Sequence, residues 1–376
     1  MGALNCNCQC HYYLKSEYSF FENIPKEENK KDNEIIKLNQ NIPKETVDSK
    51  YFFKIPKFSN LISEKILSYI KHNKLSYKSY IFSLSKLSKS DPIELPDGNI
   101  FFGDLNIDNE IDGYGIYILK SKNIITEGIW KKGNIIFGRI FFPNDDIYEG
   151  ELTQSIPHGK GIFLFAKGDI YKGDFILGEI TGKGTYFFED KTYYCGDFTK
   201  GAFNGEGSMK WTNGVEYHGI FSNSCLDIKG KIFSDLLQEK YTGNFSNNEF
   251  NGNGIYKYQN GDIYDGNFEN GLRRGKGNYK VKNGLEFLGN WEEDLPNGEG
   301  IIFCGKLKIK AKWKDGIKTG IFEILEGNKD IIDIENMDLN IKASKRKIIP
   351  SSLAHLCAND LTEISQYELV TNPNFE

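Results

Sequence analysis

Hydrophobic and polar positions alternate along most of this chain in short runs. In Tyr171-Lys172-Gly173-Asp174-Phe175 the ring and glycine positions take one side of an extended chain, and Lys172 and Asp174 take the other. Such alternation predicts a strand with one wet face. The order returns at Tyr194, Gly196 and Phe198, at Tyr217, Gly219 and Phe221, and at Tyr241, Gly243 and Phe245. It continues at Tyr264, Gly266 and Phe268 and at Phe287, Gly289 and Trp291. A second run, Gly182-Lys183-Gly184-Thr185-Tyr186-Phe187-Phe188, alternates in the same way, so each unit holds two strands. Turn residues fall where a hairpin needs them. Asn213-Gly214, Asn260-Gly261, Asn283-Gly284 and Lys167-Gly168-Asp169 each lie just before the next aromatic, and Asp97-Gly98 stands in the same relation to Phe101.

The units recur at a fixed period. The seven copies begin at Tyr148 with Gly150, Tyr171 with Gly173, Tyr194 with Gly196, Tyr217 with Gly219, Tyr241 with Gly243, Tyr264 with Gly266 and Phe287 with Gly289. Their start-to-start steps are 23, 23, 23, 24, 23 and 23 residues. Six of them add a Gly-x-Gly pair about nine residues on, such as Gly205 with Gly207; the fourth keeps only Gly230. A constant period of this size marks a repeat architecture. Weaker copies flank the array from Phe101 to Gly115, Thr126 to Gly138 and Ile309 to Gly320. The middle glycine is expected to leave room for a ring reaching over from the neighbouring strand.

One hairpin buries too little to stand alone, whereas stacked copies cover one another's aromatic faces. A buried aromatic removes roughly 150 to 250 Å² from water, worth at most about 4 to 6 kcal/mol. The predicted fold is all-β, an elongated single-layer antiparallel sheet of about ten hairpins over residues 96–330, on the order of 95 Å long. Such a surface offers no pocket.

The aromatic-x-Gly and Gly-x-Gly pattern resembles the MORN repeat family over residues 96–330. The resemblance implies an elongated twisted antiparallel sheet and a role in scaffolding, membrane association or organelle junctions. Some relatives carry a phosphoinositide kinase or lysine methyltransferase domain, for which this chain leaves no residues.

The flanks divide into a flexible tail at 1–50, a helical cap at 51–95 and a tail with a capping helix at 331–376. In Met1-Gly2-Ala3-Leu4-Asn5-Cys6-Asn7-Cys8-Gln9-Cys10, removal of Met1 exposes Gly2 for myristoylation beside Cys6, Cys8 and Cys10 as palmitoylation sites. Cys6 stands where the myristoylation pattern has Ser or Thr. One acyl chain binds membranes only marginally, so the cysteines would supply the second signal. The alternatives are an unmodified tail, or a metal site from Cys6, Cys8, Cys10 and His11, whose one-residue gaps are tighter than zinc spacing. Leu61, Ile62, Ile66, Tyr69 and Ile70 fall on one helical face after Ser59. That helix is expected to pack on the first hairpin and protect its edge. Leu353, Leu356, Leu361 and Ile364 form the apolar side of the second helix, preceded by the basic cluster Lys342 to Lys347.

Composition adds exclusions. A net charge of −5 in 376 residues gives no footprint for nucleic acid. No apolar run has the length of a membrane span, and no secretory core is seen near Met1, so Cys195, Cys225, Cys304 and Cys357 are read as reduced thiols. The five histidines, His11, His72, His158, His218 and His355, are scattered, with His218 at a solvent-facing position. Asp174, Asp197 and Asp265 are read as solubilising the outer face. The Gly-x-Gly pairs lack Walker A and Rossmann contexts. The reading is a non-enzymatic scaffold without cofactor, acylated at the cytosolic face of a membrane or cortical cytoskeleton, that presents an aromatic groove and a polar face to protein partners. Phospholipid binding by the repeats and regulation of a separate enzyme are the alternatives, and long sheet edges are compatible with a homodimer.

Overall fold

The computed structural model describes residues 92–327. They form an open antiparallel sheet of 21 strands, with no helix among the described residues. The helical flanks and the N-terminal acylation sites expected from the sequence lie outside the described residues. The cap expected to reach residue 95 is corrected at its end, because Ile93–Glu94 is a short strand.

Two compact units divide the chain after Ile180. The first runs through β1 (Ile93–Glu94), β2 (Ile100–Leu105), β3 (Ile111–Leu119), β4 (Ile124–Lys131), β5 (Asn134–Phe141), β6 (Ile147–Thr153), β7 (Ile156–Leu164) and β8 (Ile170–Ile176). Each strand pairs with its predecessor. The second unit comprises β9 (Glu179–Phe187), β10 (Tyr193–Thr199), β11 (Ala202–Lys210), β12 (Val215–Ser222), β13 (Cys225–Ser234), β14 (Glu239–Ser246) and β15 (Glu249–Lys257). It continues through β16 (Ile263–Glu269), β17 (Leu272–Lys280), β18 (Glu286–Glu292), β19 (Leu295–Cys304), β20 (Leu307–Lys314) and β21 (Ile317–Glu326), again pairing in order.

Two kinds of turn alternate. At Trp211-Thr212-Asn213-Gly214 the Gly214 N–H donates to the Trp211 carbonyl at 3.0 Å, and Gly214 takes a φ of 78°. Asn213 serves through its side chain, which accepts the Val215 N–H at 3.1 Å. The other turns have two residues, both with positive φ: Lys200-Gly201 at 49° and 79°, Asn247-Asn248 at 48° and 66°, Asn270-Gly271 at 49° and 78°. These dihedrals match the hairpin twist. Turns of this kind also reach back one hairpin. The Ser224 N–H donates to the Phe203 carbonyl at 2.9 Å, Asn248 to Leu226 at 3.1 Å and Gly271 to Phe250 at 3.0 Å. Where the side chain has an acceptor, it closes a second bond: Ser224 Oγ takes the Phe203 N–H at 3.1 Å and Asn248 Oδ1 the Leu226 N–H at 2.6 Å.

The irregular fourth copy is explained locally. Its extra residue sits in the turn around Asp235–Gln238, where Phe233 pairs with Lys240 across six residues while the equivalent Lys210 pairs with Glu216 across five. Ile228 replaces the first glycine of the pair and is held at a φ of 59°, 62% exposed. Its counterparts Gly205 and Gly252 take φ values of 109° and 81°. A left-handed conformation costs an L residue about 1 to 2 kcal/mol, and β-branching adds to this. Ile228→Gly is therefore expected to stabilise the second unit by about 1 to 2 kcal/mol, seen as a raised denaturation midpoint; an unchanged or lowered midpoint would contradict the strain.

Both units bury one row of side chains on the inner face. In the second unit Tyr194, Met209, Tyr217, Ile232, Tyr241 and Tyr256 stand opposite one another from strand to strand. On the outer face the two units differ. Across the first unit the register aligns Ile100, Ile118, Ile125, Phe141, Ile147 and Leu164. The matching row of the second unit carries the ion pairs Lys210–Glu216 at 2.6 Å and Lys280–Glu286 at 3.3 Å.

Candidate functional site

Each repeat is built around its first aromatic. The Tyr194 ring lies along its own strand over Gly196 and crosses to Gly207 on the next. A Cβ placed on Gly196 would come within 2.5 Å of the Tyr194 hydroxyl and the Glu206 carbonyl, and 2.6 Å from the Gly207 Cα. On Gly207 it would meet the ring at 2.4 Å. The ring over the middle glycine thus belongs to the same strand, and the expectation of a ring from the neighbouring strand holds only for the second glycine of the Gly-x-Gly pair. The first glycine of that pair has a different task. Gly205 takes a positive φ and packs beneath the Asp197 side chain, whose Oδ2 accepts the Glu206 N–H at 3.1 Å.

Asp197 sits in a bulge between Gly196 and Phe198, where the regular ladder is interrupted. The carbonyl exposed there accepts a hydrogen bond from the Tyr194 hydroxyl at 2.8 Å. The same bond runs from Tyr171 to Asp174 at 3.0 Å, Tyr217 to Ile220 at 2.9 Å, Tyr241 to Asn244 at 2.7 Å and Tyr264 to Asn267 at 2.9 Å. Burial pushes the phenols of Tyr148, Tyr171, Tyr217, Tyr241 and Tyr264 upward, which keeps them protonated as donors.

Tyr148, Tyr171, Tyr194, Tyr217, Tyr241, Tyr264 and Phe287 are all buried, as part of the core. Gly150, Gly173, Gly196, Gly219, Gly243, Gly266 and Gly289 each meet a glycine of a neighbouring strand in register. These residues are brought together as the fold's framework, and no aromatic groove stands open along them. Gly2, Cys6, Cys8 and Cys10 lie outside the described residues.

Two buried charged groups have no signal in the repeat pattern. Phe203 and Phe250 stack on Tyr194 and Tyr241 at 4.0 and 3.9 Å. Arg273 occupies the corresponding place beside Tyr264, 1% exposed, with its guanidinium 4.5 Å from the Trp291 ring and 5.7 Å from that of Tyr264. Asp294 receives its Nε–H at 3.1 Å and its backbone N–H at 2.8 Å, and the Asp294 carbonyl takes an Nη2–H at 2.6 Å. In the first unit Arg139 pairs with Glu149 at 2.8 Å, both buried on the outer face. Glu127 faces Arg139 in register and accepts the Tyr114 hydroxyl, while its Oε2 has no hydrogen-bond partner.

Burial holds the Glu127 carboxyl above its ordinary 4.5, against the opposing pull of Arg139 and Tyr114. The folded protein then keeps this proton to higher pH than the unfolded chain, so stability falls as pH rises above about 4.5. Glu127→Gln keeps a neutral acceptor for Tyr114 and removes that loss. Denaturant midpoints measured from pH 4 upward should decline less in the variant; parallel profiles would remove Glu127 as the cause.

The exposed outer face of the second unit is polar. Lys183 pairs with Asp197 at 2.6 Å. Asp174 and Asp197 each follow the repeat glycine, Gly173 and Gly196, and are half-buried, whereas Asp265 precedes Gly266, directly follows Tyr264 and is exposed. His218 is half-exposed, with Nδ1 2.7 Å from Ser208 Oγ and its ring 5.7 Å from Phe233. Burial lowers its pKa, with Lys231 adding to the shift and Glu216 opposing it. Lys240 stands directly opposite Lys257, and Lys231 lies nearby, with no ion pair to any of the three among the described residues. Cys225 is disulfide-bonded, so the reduced state expected of it is overturned. Among the described residues there is no cluster of metal-ligating side chains and no helix long and apolar enough to cross a membrane.

A family model described as MORN repeat matches residues 148–170, 171–193, 194–216, 241–263, 264–285 and 287–305, so the chain contains six MORN repeats. The irregular copy with Ile228 lies between the third and fourth matches. No curated protein matches the chain. Among solved structures, the TCP domain of SAS-4 (dCPAP) from Drosophila melanogaster, in complex with a proline-rich motif of Ana2 (dSTIL), is 16% identical. That match covers 45% of this chain and 83% of that one, with a TM-score of 0.24. The CPAP G-box domain is 9% identical over 56% of this chain and 98% of its own, with a TM-score of 0.21. Virginiamycin B lyase from Staphylococcus aureus is 10% identical over 62% and 82%, with a TM-score of 0.12. These scores carry no argument about function.

Proposed function

We propose that the MORN repeats are the working surface of a non-catalytic scaffold, held at the cytosolic face of a membrane by acyl chains on Gly2 and on Cys6, Cys8 and Cys10. The observation that carries the scaffold reading is that the repeat aromatics are consumed as core, leaving extended polar strand faces rather than a cleft. On the second unit those faces alternate charge, with Lys210 beside Glu216 and Lys280 beside Glu286, a pattern suited to a protein partner more than to an anionic lipid sheet. The N-terminal sequence supplies the anchor.

Intact mass and membrane fractionation test this on the full chain, with Gly2→Ala and with Cys6, Cys8 and Cys10 all changed to Ser. Acyl mass on the wild type and release of both variants to the soluble fraction are expected. Membrane retention of all three without acyl mass would reject the anchor.

Lys231, Lys240 and Lys257 favour a second reading, in which the repeats bind phosphoinositide headgroups. Facing lysines are destabilising unless an anion shares them. Flotation of full-length Lys231→Glu/Lys240→Glu/Lys257→Glu with phosphoinositide-containing vesicles separates the two. The scaffold reading expects no change; at about 1 kcal/mol per lysine, a lipid site would lose roughly 100-fold and be salt-sensitive.

A further inference from the structure

The outer face of the first unit carries a continuous apolar row, where the matching row of the second interleaves Phe187, Tyr193, Phe233 and Ile263 with lysines and glutamates. Ile118, Ile125, Phe141 and Ile147 are at most 5% exposed, with Phe102 beside them at 7%. On a bare outer face such residues stay half open, as Ile255 at 41% and Leu288 at 45% do in the second unit. The first unit also holds Arg139, Glu127 and Glu149 buried on this side. Charges desolvated to that degree need a lid as well as partners. Every described strand is engaged edge to edge with a neighbour, so none is left to lie across the face.

We infer that residues 51–90 of this chain form the cover, with the apolar side of 59–70 seated on the row from Ile100 to Leu164. Leu61, Ile62, Ile66 and Ile70 supply a stripe of matching chemistry, and Tyr69 brings a hydroxyl of the kind that the unpartnered Glu127 Oε2 would accept. The 22 residues from His72 to Ile93 can span about 70 Å when extended, more than the roughly 30 Å across the seven strands β2–β8. On this assignment the segment covers the sheet face rather than the sheet edge. The inference does not depend on acylation or on the partner of the second unit.

The test places the photo-reactive p-benzoylphenylalanine at Phe102 in the full-length chain, with the same side chain at Phe233 on the outer face of the second unit as control. Intramolecular cross-links from position 102 to peptides within 51–90 are expected, together with their loss in an Ile62→Asp/Ile66→Asp background. Cross-links into 328–376, cross-links to a second copy, or a yield no higher than the control would each overturn the assignment. Should the Phe102 variant not accumulate, Ile116, its cross-strand neighbour, takes the probe with the same outcomes.

Discussion

Gly196→Ala is expected to destabilise the second unit by about 3 kcal/mol or more, near or beyond the usual upper end for overpacking. A methyl group there would meet the Glu206 carbonyl and the Gly207 Cα, both backbone atoms of the adjoining strand. Relief by moving Tyr194 is blocked, because its ring is stacked on Phe203 and met edge-on by Phe198 and Phe221, and its hydroxyl is tied to the Asp197 carbonyl. The strands would have to part. Gly214→Ala is the control: its Cβ meets nothing within 4 Å, and only the positive φ is penalised, by about 1 kcal/mol. Denaturation of both variants, followed by far-UV circular dichroism, should rank Gly196→Ala well below Gly214→Ala. Equal losses would mean that the repeat glycines serve backbone conformation alone.

Arg273→Ala should cost about 3 to 5 kcal/mol, because it strands Asp294 in the interior and opens a space among Tyr264, Tyr279 and Trp291. The neighbouring repeats show how to remove the charge without that cost. Phe250 fills the equivalent place in the preceding repeat, and one repeat earlier Asn248 accepts the Leu226 backbone N–H as Asp294 accepts that of Arg273. Arg273→Phe combined with Asp294→Asn is therefore expected to recover most or all of the stability. Tryptophan fluorescence reports it directly, since Trp291 lies against the guanidinium. If the double variant is as weak as Arg273→Ala, the buried pair contributes more than the apolar stack it displaces.

Much of this was legible in the chain because a glycine under a ring and an aromatic at every second position are steric requirements that each repeat must meet alone. The strands and their order followed from the period. The turns were half legible: Asn213-Gly214 announces itself, whereas Gln154-Ser155 and Glu293-Asp294 adopt the same left-handed pair without a glycine. Arg273 and Arg139 could not be found from spacing, since burying a guanidinium depends on which rings and carboxylates the register brings beside it. Nor did alternation reveal that the first unit buries a second apolar row on its outer face. Ile125 and Phe141 occupy positions that the period assigns to solvent, and only cross-strand alignment shows that they form a continuous row.

The back-reaching turns have a consequence for how such a chain can change length. Ser224, Asn248 and Gly271 each bond to a strand one hairpin earlier, so these loops are bound to partners about one repeat back in the sequence. Duplication or loss of a whole repeat leaves all those offsets intact. A one-residue insertion in a two-residue turn would break two hairpins at once, whereas the opposite margin has already absorbed one at Asp235–Gln238. Epitope tags and gene-level indels should accordingly survive on one margin and fail on the other.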